Sequence, residues 1–240
     1  MRNEYPKLDG IIAVSEGVRE DLLKTTGMPA DRITSIKNPV TTADMIEEEQ
    51  TPVDHPWLSK NFDEPVLITV GRLTKNKDHQ TLLEAFRLIN DTTPSRLLIL
   101  GEGPERANLE KIIAESGLAD RVQLPGFVDT PWAWMAKSSL FVLSSFAEGS
   151  GNVLTEAMAV GTPVVSTDCP SGPSEMLDGG RIAPLVPVGD AEALAAACMN
   201  VLNSGIASSL LDEAVAPFKA EVAAKHYLEF MGVGIPSSPY

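Results

Sequence analysis

Residues Phe141–Asp168 read FVLSSFAEGSGNVLTEAMAVGTPVVSTD. The run begins in an apolar segment, Leu140–Leu143, and closes on a second one, Pro163–Ser166. Between them Val153–Val160 carries apolar residues at helical spacing. Two strands apolar on both faces, joined through a helix, form a parallel β-α-β unit, because parallel strands require a crossover and bury both sides. The same rhythm continues outward. Upstream lie the strand Val66–Val70 with a helix from His79 to Ile89, the strand Arg96–Leu100 with a helix from Pro104 to Ser116, and a short strand Val122–Leu124. Downstream lie an Ala-rich helix, Glu192–Leu202, one or two helices over Leu210–Met231, and a terminal GVGIPSSPY that reads as frayed. The fold class is therefore α/β, with a doubly wound parallel sheet.

The N-terminal part is shorter in its pattern. Gly10–Ser15 reads as a strand, Ser15 as the cap of a helix ending near Gly27, and Ile33–Ile36 as a strand closed by Asn38-Pro39. Residues 41–63 are polar and acidic, with prolines at 52 and 56, and read as a linker or an ordered surface excursion. The expected divisions are 1–40, a linker 41–63, a sheet domain 64–205, and C-terminal helices with a tail over 206–240.

Composition limits the partners. Of 240 residues, 43% are hydrophobic and 22% charged, an ordinary globular balance. Lys plus Arg number 19 against 33 Asp plus Glu, a formal net charge of −14, which repels phosphate backbones and excludes a broad nucleic-acid face. Cys169 and Cys198, with scattered His55, His79 and His226, do not compose a metal cage, so no metal is expected; buried free thiols in a reducing compartment are. No apolar run approaches the roughly 18 residues of a spanning helix, and MRNEYPKLDG has no apolar core of a secretory signal, so a cytoplasmic location is expected.

Doubly wound sheets bind ligands at the carboxyl ends of their strands. The loop after VLITV, Gly71-Arg72-Leu73-Thr74-Lys75-Asn76-Lys77, brings three cations there in an acidic chain. Arg72 and Lys77 suit a clamp on one diphosphate, a guanidinium fork and a point ammonium; a solvated loop is the alternative. The loop after FVLSS, Phe146-Ala147-Glu148-Gly149-Ser150-Gly151-Asn152, runs into a helix, and its two glycines and the free amides of the helix start suit a phosphate. Glu148 before the helix and Glu156 within it suit paired hydroxyls, as on sugar and ribose. The Gly101-Glu102-Gly103-Pro104 turn lacks the third glycine of a dinucleotide fingerprint and reads as structural, as does Gly126-Phe127-Val128. His79 reads as structural, and Trp132 and Trp134 as core or apolar surface. Gly149-Ser150-Gly151 has no nearby histidine to activate the serine.

Taken in order, IIAVSEGVREDL with NPV, VGRLTKNKDHQTLLEAF, LLILGEGPERANLE, VQLPGFV, FVLSSFAEGSGNVLTEAMAVGTPVVSTD and LVPVGDAEALAAA resemble glycosyltransferase family 4, the group 1 retaining enzymes of GT-B fold. The resemblance runs from about residue 8 to 230. It implies a retaining transferase that moves a sugar from a nucleotide-sugar to a saccharide or lipid-linked acceptor in polysaccharide or glycolipid synthesis. It implies that Arg72 and Lys77 hold the donor diphosphate and stabilise the leaving nucleotide, that Glu148 binds donor-sugar hydroxyls, and that Glu156 binds the ribose. The backbone of Ser150, Gly151, Asn152, Val153 and Leu154, with Gly149 and Gly71 beside it, would cradle phosphate, and Phe127 and Val128 would flank the base. No cofactor or metal is implied. A UDP-sugar is the expected donor, ahead of GDP-mannose.

The resemblance also implies a complete N-terminal acceptor domain, whereas residues 1–40 match only its last strand-helix-strand. The expectation is a donor-binding half with little transfer in isolation, the acceptor reached through the other half and any peripheral membrane contact made by the full enzyme. A nucleotide-binding remnant without activity, a sugar-nucleotide epimerase and a phosphorylase-like enzyme are the competing readings. The last needs a lysine-bound pyridoxal phosphate, for which the Glu148–Glu156 region makes no demand.

Overall fold

A computed structural model describes residues 4–233. The chain opens with β1 (Ile11–Ala13), α1 (Glu16–Thr26) and β2 (Ile33–Ser35), with β1 and β2 paired in parallel. Ser15 caps α1 through the Val18 amide and Gly27 ends it in the left-handed region, as its sequence predicts. Residues 41–63 are the ordered excursion rather than a free linker. They form α2 (Ala43–Glu48) and a turn at Pro56–Leu58, and lie against the sheet domain. Arg96 stacks over Trp57 and Phe62, with centroid distances of 5.4 and 5.6 Å. His55 Nε2 lies 2.8 Å from Gln123 Oε1.

The main sheet holds β3 (Val66–Val70), β4 (Arg96–Leu100), β5 (Val122–Gly126), β6 (Leu140–Leu143), β7 (Val164–Thr167) and β8 (Leu185–Val186), in the order β5-β4-β3-β6-β7-β8. Every pairing is parallel. Between the strands run α3 (His79–Thr92), α4 (Arg106–Glu115), α5 (Pro131–Met135), α6 (Asn152–Ala159) and α7 (Pro173–Met176). Then follow α8 (Ala191–Ser204), α9 (Ser208–Val215) and α10 (Ala220–Phe230). The strands bury both faces. On one side Phe86 and Ile89 of α3 and Leu194 and Cys198 of α8 pack against Leu67, Leu97 and Leu140. On the other, Leu154 and Met158 of α6 and Leu211 and Val215 of α9 pack against Ile68, Leu98 and Phe141. Leu58 and Phe218 share this second core, so the segments on either side of 64–205 complete it.

Strands β3–β7 and helices α3, α4, α6 and α8 stand where the apolar pattern puts them, with ends moved by up to three residues, whereas α5, α7 and β8 carry no such pattern. The Leu210–Met231 pattern divides into α9 and α10 at the Ala216–Phe218 turn. Residues 234–240 of the terminal stretch lie outside the described residues. Both cysteines are buried and unpaired. Burial pushes the Cys169 thiol up to about 11, assisted by the charge of Glu148, and the Cys198 thiol up to about 12. Among the described residues no single helix is long and apolar enough to cross a membrane.

Candidate functional site: a cleft at the strand-order reversal

Strand order reverses between β3 and β6, which pair at Leu67↔Leu140 and Ile68↔Phe141. Doubly wound sheets open their ligand crevice at this point. The loop leaving β3 carries the cations, and the loop leaving β6 carries Glu148 and opens α6. Backbone and side chains stitch the two loops together. Phe146 N donates to Asn76 O at 2.8 Å, and Ser144 Oγ donates to Lys77 O at 2.9 Å.

The β3 loop is held from beneath by the turn after β4. Leu73, fully buried, donates its amide to Glu102 O and accepts from the Glu105 amide. Gly101 has φ +128°, and a Cβ there would stand 2.0 Å from Gly71 O. Only glycine lets the strand end pass this close. The Gly101-Glu102-Gly103 turn is thus structural, as its sequence predicts.

Together the loops enclose a cleft of about 650 Å³, lined by Gly71, Arg72, Lys77, Glu148, Ser150, Gly151, Asn152, Val153 and Glu156, with Val14 and Asn38 from the N-terminal segment. Lys77 Nζ meets Glu148 Oε1 at 2.6 Å, and Ser145 Oγ donates to the same oxygen at 2.6 Å. Arg72 is exposed, and among the described residues its guanidinium has no partner. The two cations therefore share the cleft but stand differently: one is already fixed on a carboxylate, the other is free.

Gly151, at φ +69°, turns the chain into α6. The Asn152 and Val153 amides, in the first turn of the helix, make no backbone hydrogen bond and are free to donate to an anion, with the helix dipole behind them. Leu154 departs from the expected cradle. Its amide donates to Gly151 O at 2.8 Å and its side chain is fully buried in the core. Gly149 also falls outside the cleft lining, and its carbonyl accepts from Ser15 Oγ at 2.8 Å. Phe127 and Val128 line an adjoining slot of about 300 Å³ with Val70, Gly71, Arg72 and Leu100. Phe127 is 76% exposed, a free apolar face of the kind a planar base covers.

Burial raises Glu156 above the ordinary carboxylate range, and the indole of Trp132 works against that rise. His79, at the start of α3, is buried away from the cleft. Burial and the nearby Lys77 charge lower it to about 4, so it stays neutral.

Two residues here escaped the sequence reading. Trp132, on α5, is half-buried, and its indole favours the charged form of Glu156, an influence that the core-or-surface reading did not include. Glu175, on α7, accepts from the Glu16 and Gly17 amides at 3.0 and 2.9 Å and from Lys37 Nζ at 2.6 Å. It thereby clamps the start of α1 to the sheet domain, and Asn38 Nδ2 bonds Asn152 Oδ1 at 3.0 Å beside it. A carboxylate in a Gly-Pro-Ser-Glu turn gives no sign in the sequence of a partner more than 150 residues away.

A doubly wound sheet with cations, carboxylates and a helix start at its reversal point has the α/β fold of the GT-B glycosyltransferases. The chain belongs to the family Glycosyl transferases group 1, which matches residues 64–204. The lipopolysaccharide core biosynthesis glycosyltransferase LpsE of Rhizobium meliloti is 34% identical over 184 residues, 75% of this chain and 53% of that protein. The alpha-D-kanosaminyltransferase of Streptomyces kanamyceticus is 26% identical over 237 residues, 96% of this chain and 60% of that protein. Among solved structures, Anabaena Alr3699/HepE in complex with UDP and glucose superposes with a TM-score of 0.80 at 21% identity, covering 96% of this chain and 65% of that one. A glycosyltransferase from Rickettsia africae superposes at 0.79 with 20% identity, covering 99% and 67%. The chain spans about half the length of the first curated relatives it matches.

Proposed function

We propose that this chain is the donor-binding part of a retaining glycosyltransferase of family 4, working in the cytoplasm on polysaccharide or glycolipid assembly. The observation that carries the reading is the convergence of Arg72, Lys77, Glu148, Glu156 and the α6 start on one cleft, with the Phe127–Val128 slot opening beside it.

The donor diphosphate lies on the Asn152 and Val153 amides and takes Arg72 as a bidentate partner. Lys77 holds the opposite side while remaining near Glu148. The base enters the slot against Phe127 and Val128, and Glu156 accepts from the ribose hydroxyls. Glu148, fixed by Lys77 and Ser145, accepts from hydroxyls of the donor sugar. In transfer, the bond from the anomeric carbon to the diphosphate oxygen breaks and its electron pair stays on that oxygen. The acceptor hydroxyl bonds to the anomeric carbon from the same face and passes its proton to the departing diphosphate oxygen. Negative charge grows where Arg72, Lys77 and the helix start already stand, which stabilises the transition state more than the ground state. A UDP-sugar is the proposed donor, ahead of GDP-mannose; the UDP of the HepE structure supports that order. The acceptor is placed by the rest of the full enzyme, where any membrane contact also lies, so this chain alone gives little transfer.

Calorimetric titration with UDP, GDP and ADP tests the reading. One nucleotide is expected to bind, and Arg72→Ala and Glu156→Ala each to weaken it by about 1–3 kcal/mol, the worth of a hydrogen bond to a charged group. Failure of all three to bind at millimolar concentration overturns the donor site. Rapid turnover by this chain alone overturns the dependence on a further part.

A further inference from the structure

Asn152 opens α6 without capping it: the cap position is Gly151, and no side chain caps this helix. Asparagine is a weak helix former past the cap, so its place there has another reason. Its Oδ1 accepts from Asn38 Nδ2 at 3.0 Å, and both residues line the cleft. That leaves the two hydrogens of Asn152 Nδ2, which among the described residues have no partner and are not shielded from solvent. They belong to the same helix start as the free Asn152 and Val153 amides. Ser150, 8% exposed, lines the same cleft, and its buried hydroxyl also has no partner. A cluster of unpaired donors in one corner of a cleft calls for a ligand that accepts hydrogen bonds.

Asn38 is itself fixed. Lys37 before it is bound to Glu175 at 2.6 Å, and Asn38 O accepts from Val40 N at 2.9 Å across Pro39. The tie to Asn38 decides which end of the Asn152 carboxamide remains free: the donating end. We infer that Asn152 donates from Nδ2 to the donor diphosphate, and that Asn38 is a positioning residue that holds the Asn152 carboxamide with its nitrogen free. A neutral amide offers phosphate oxygens a donor at every pH, without adding a charge to those of Arg72 and Lys77. This rests on the donor-site reading above. It extends the site to the N-terminal segment, outside the 64–204 stretch that supplies the other proposed contacts.

The test titrates UDP into the wild-type chain, Asn152→Ala, Asn152→Asp, Asn38→Ala and the Asn38→Ala/Asn152→Ala double variant, and follows the thermal unfolding of each. Asn152→Ala is expected to weaken UDP about tenfold, the loss of one hydrogen bond to a charged group. Asn152→Asp keeps an oxygen for Asn38 and places a carboxylate at a helix start, so it should unfold no earlier than wild type. It should nonetheless bind UDP less well than Asn152→Ala, because an acceptor-only carboxylate repels the diphosphate. Asn38→Ala should weaken UDP by less than Asn152→Ala does, and add nothing in the Asn152→Ala background. On the wild-type chain, the Asn152 side-chain amide resonances should shift with UDP and not with uridine. Asn152→Asp binding UDP as wild type does, or resonances that UDP leaves unmoved, overturns the contact, and additive losses in the double variant overturn the positioning by Asn38. Each of these leaves the donor site standing where Arg72→Ala still weakens UDP. A wild-type chain that binds no UDP overturns the donor-site reading itself.

Discussion

Lys77 Nζ lies 2.6 Å from Glu148 Oε1, joining the loop after β3 to the loop after β6 across the point where strand order reverses. Both side chains are mostly buried, so the pair resists screening by salt. Removing one partner leaves the other charge in a poorly solvated place. Lys77→Ala is expected to cost about 3 kcal/mol in stability. The Lys77→Ala/Glu148→Ala double variant should lose less than the sum of the singles. Urea denaturation of the four proteins gives the coupling directly, and strict additivity would sever the proposed link between the loops.

Arg72 is the contrasting case, an exposed guanidinium with no partner among the described residues. Arg72→Ala should leave stability within about 0.5 kcal/mol of wild type while weakening the bound nucleoside diphosphate by about 1–3 kcal/mol. Arg72→Lys should restore only part of that affinity, because an ammonium cannot form the fork. A stability loss equal to the binding loss would mark Arg72 as structural instead.

Gly101 carries both a left-handed φ and a backbone oxygen where a Cβ would sit. Gly101→Ala is expected to destabilise by about 3 kcal/mol or more, strain and crowding together. The displaced atom belongs to Gly71, so nucleotide affinity should fall even where the variant remains folded. Thermal unfolding and titration on one preparation test both halves.

His79 gives a pH signature. Its ordinary value is 6.5 and the fold lowers it to about 4, through burial and then Lys77. Between those values the unfolded chain takes up a proton that the native state refuses. Stability is therefore full above about pH 6.5 and falls as the pH drops toward 4, by up to about 3 kcal/mol. His79→Gln should flatten this slope between pH 6.5 and 4. An unchanged slope would assign the acid sensitivity to the carboxylates.

The sheet and the two loops were legible because their signals are local. Runs apolar on both faces mark VLITV, RLLIL and LFVL, and glycines beside charges mark the loops that follow them. β8, two residues long, and α7, four long, are too short to show a period. The 41–63 segment looks like a linker because the partner that orders it, Arg96 between Trp57 and Phe62, comes some thirty residues later. Trp132 and Glu175 act only through residues the fold brings to them. Leu154 was expected beside phosphate only through the family resemblance, yet the first turn of the helix claims its amide and the core claims its side chain.

The two thiols give the molecule a built-in clock. Cysteine is alkylated when its thiolate attacks the reagent, and Cys169 and Cys198 are both buried and protonated at neutral pH. Labelling of the native protein then waits on openings of the fold, and the two positions report different ones. Cys198 sits in the α3–α8 layer, and Cys169 lies two residues past β7 at the carboxyl end of the sheet, within reach of the Glu148 charge. Mass spectrometry of a timed alkylation thus separates loosening around the cleft from melting of the domain, with no cysteine added to the sequence.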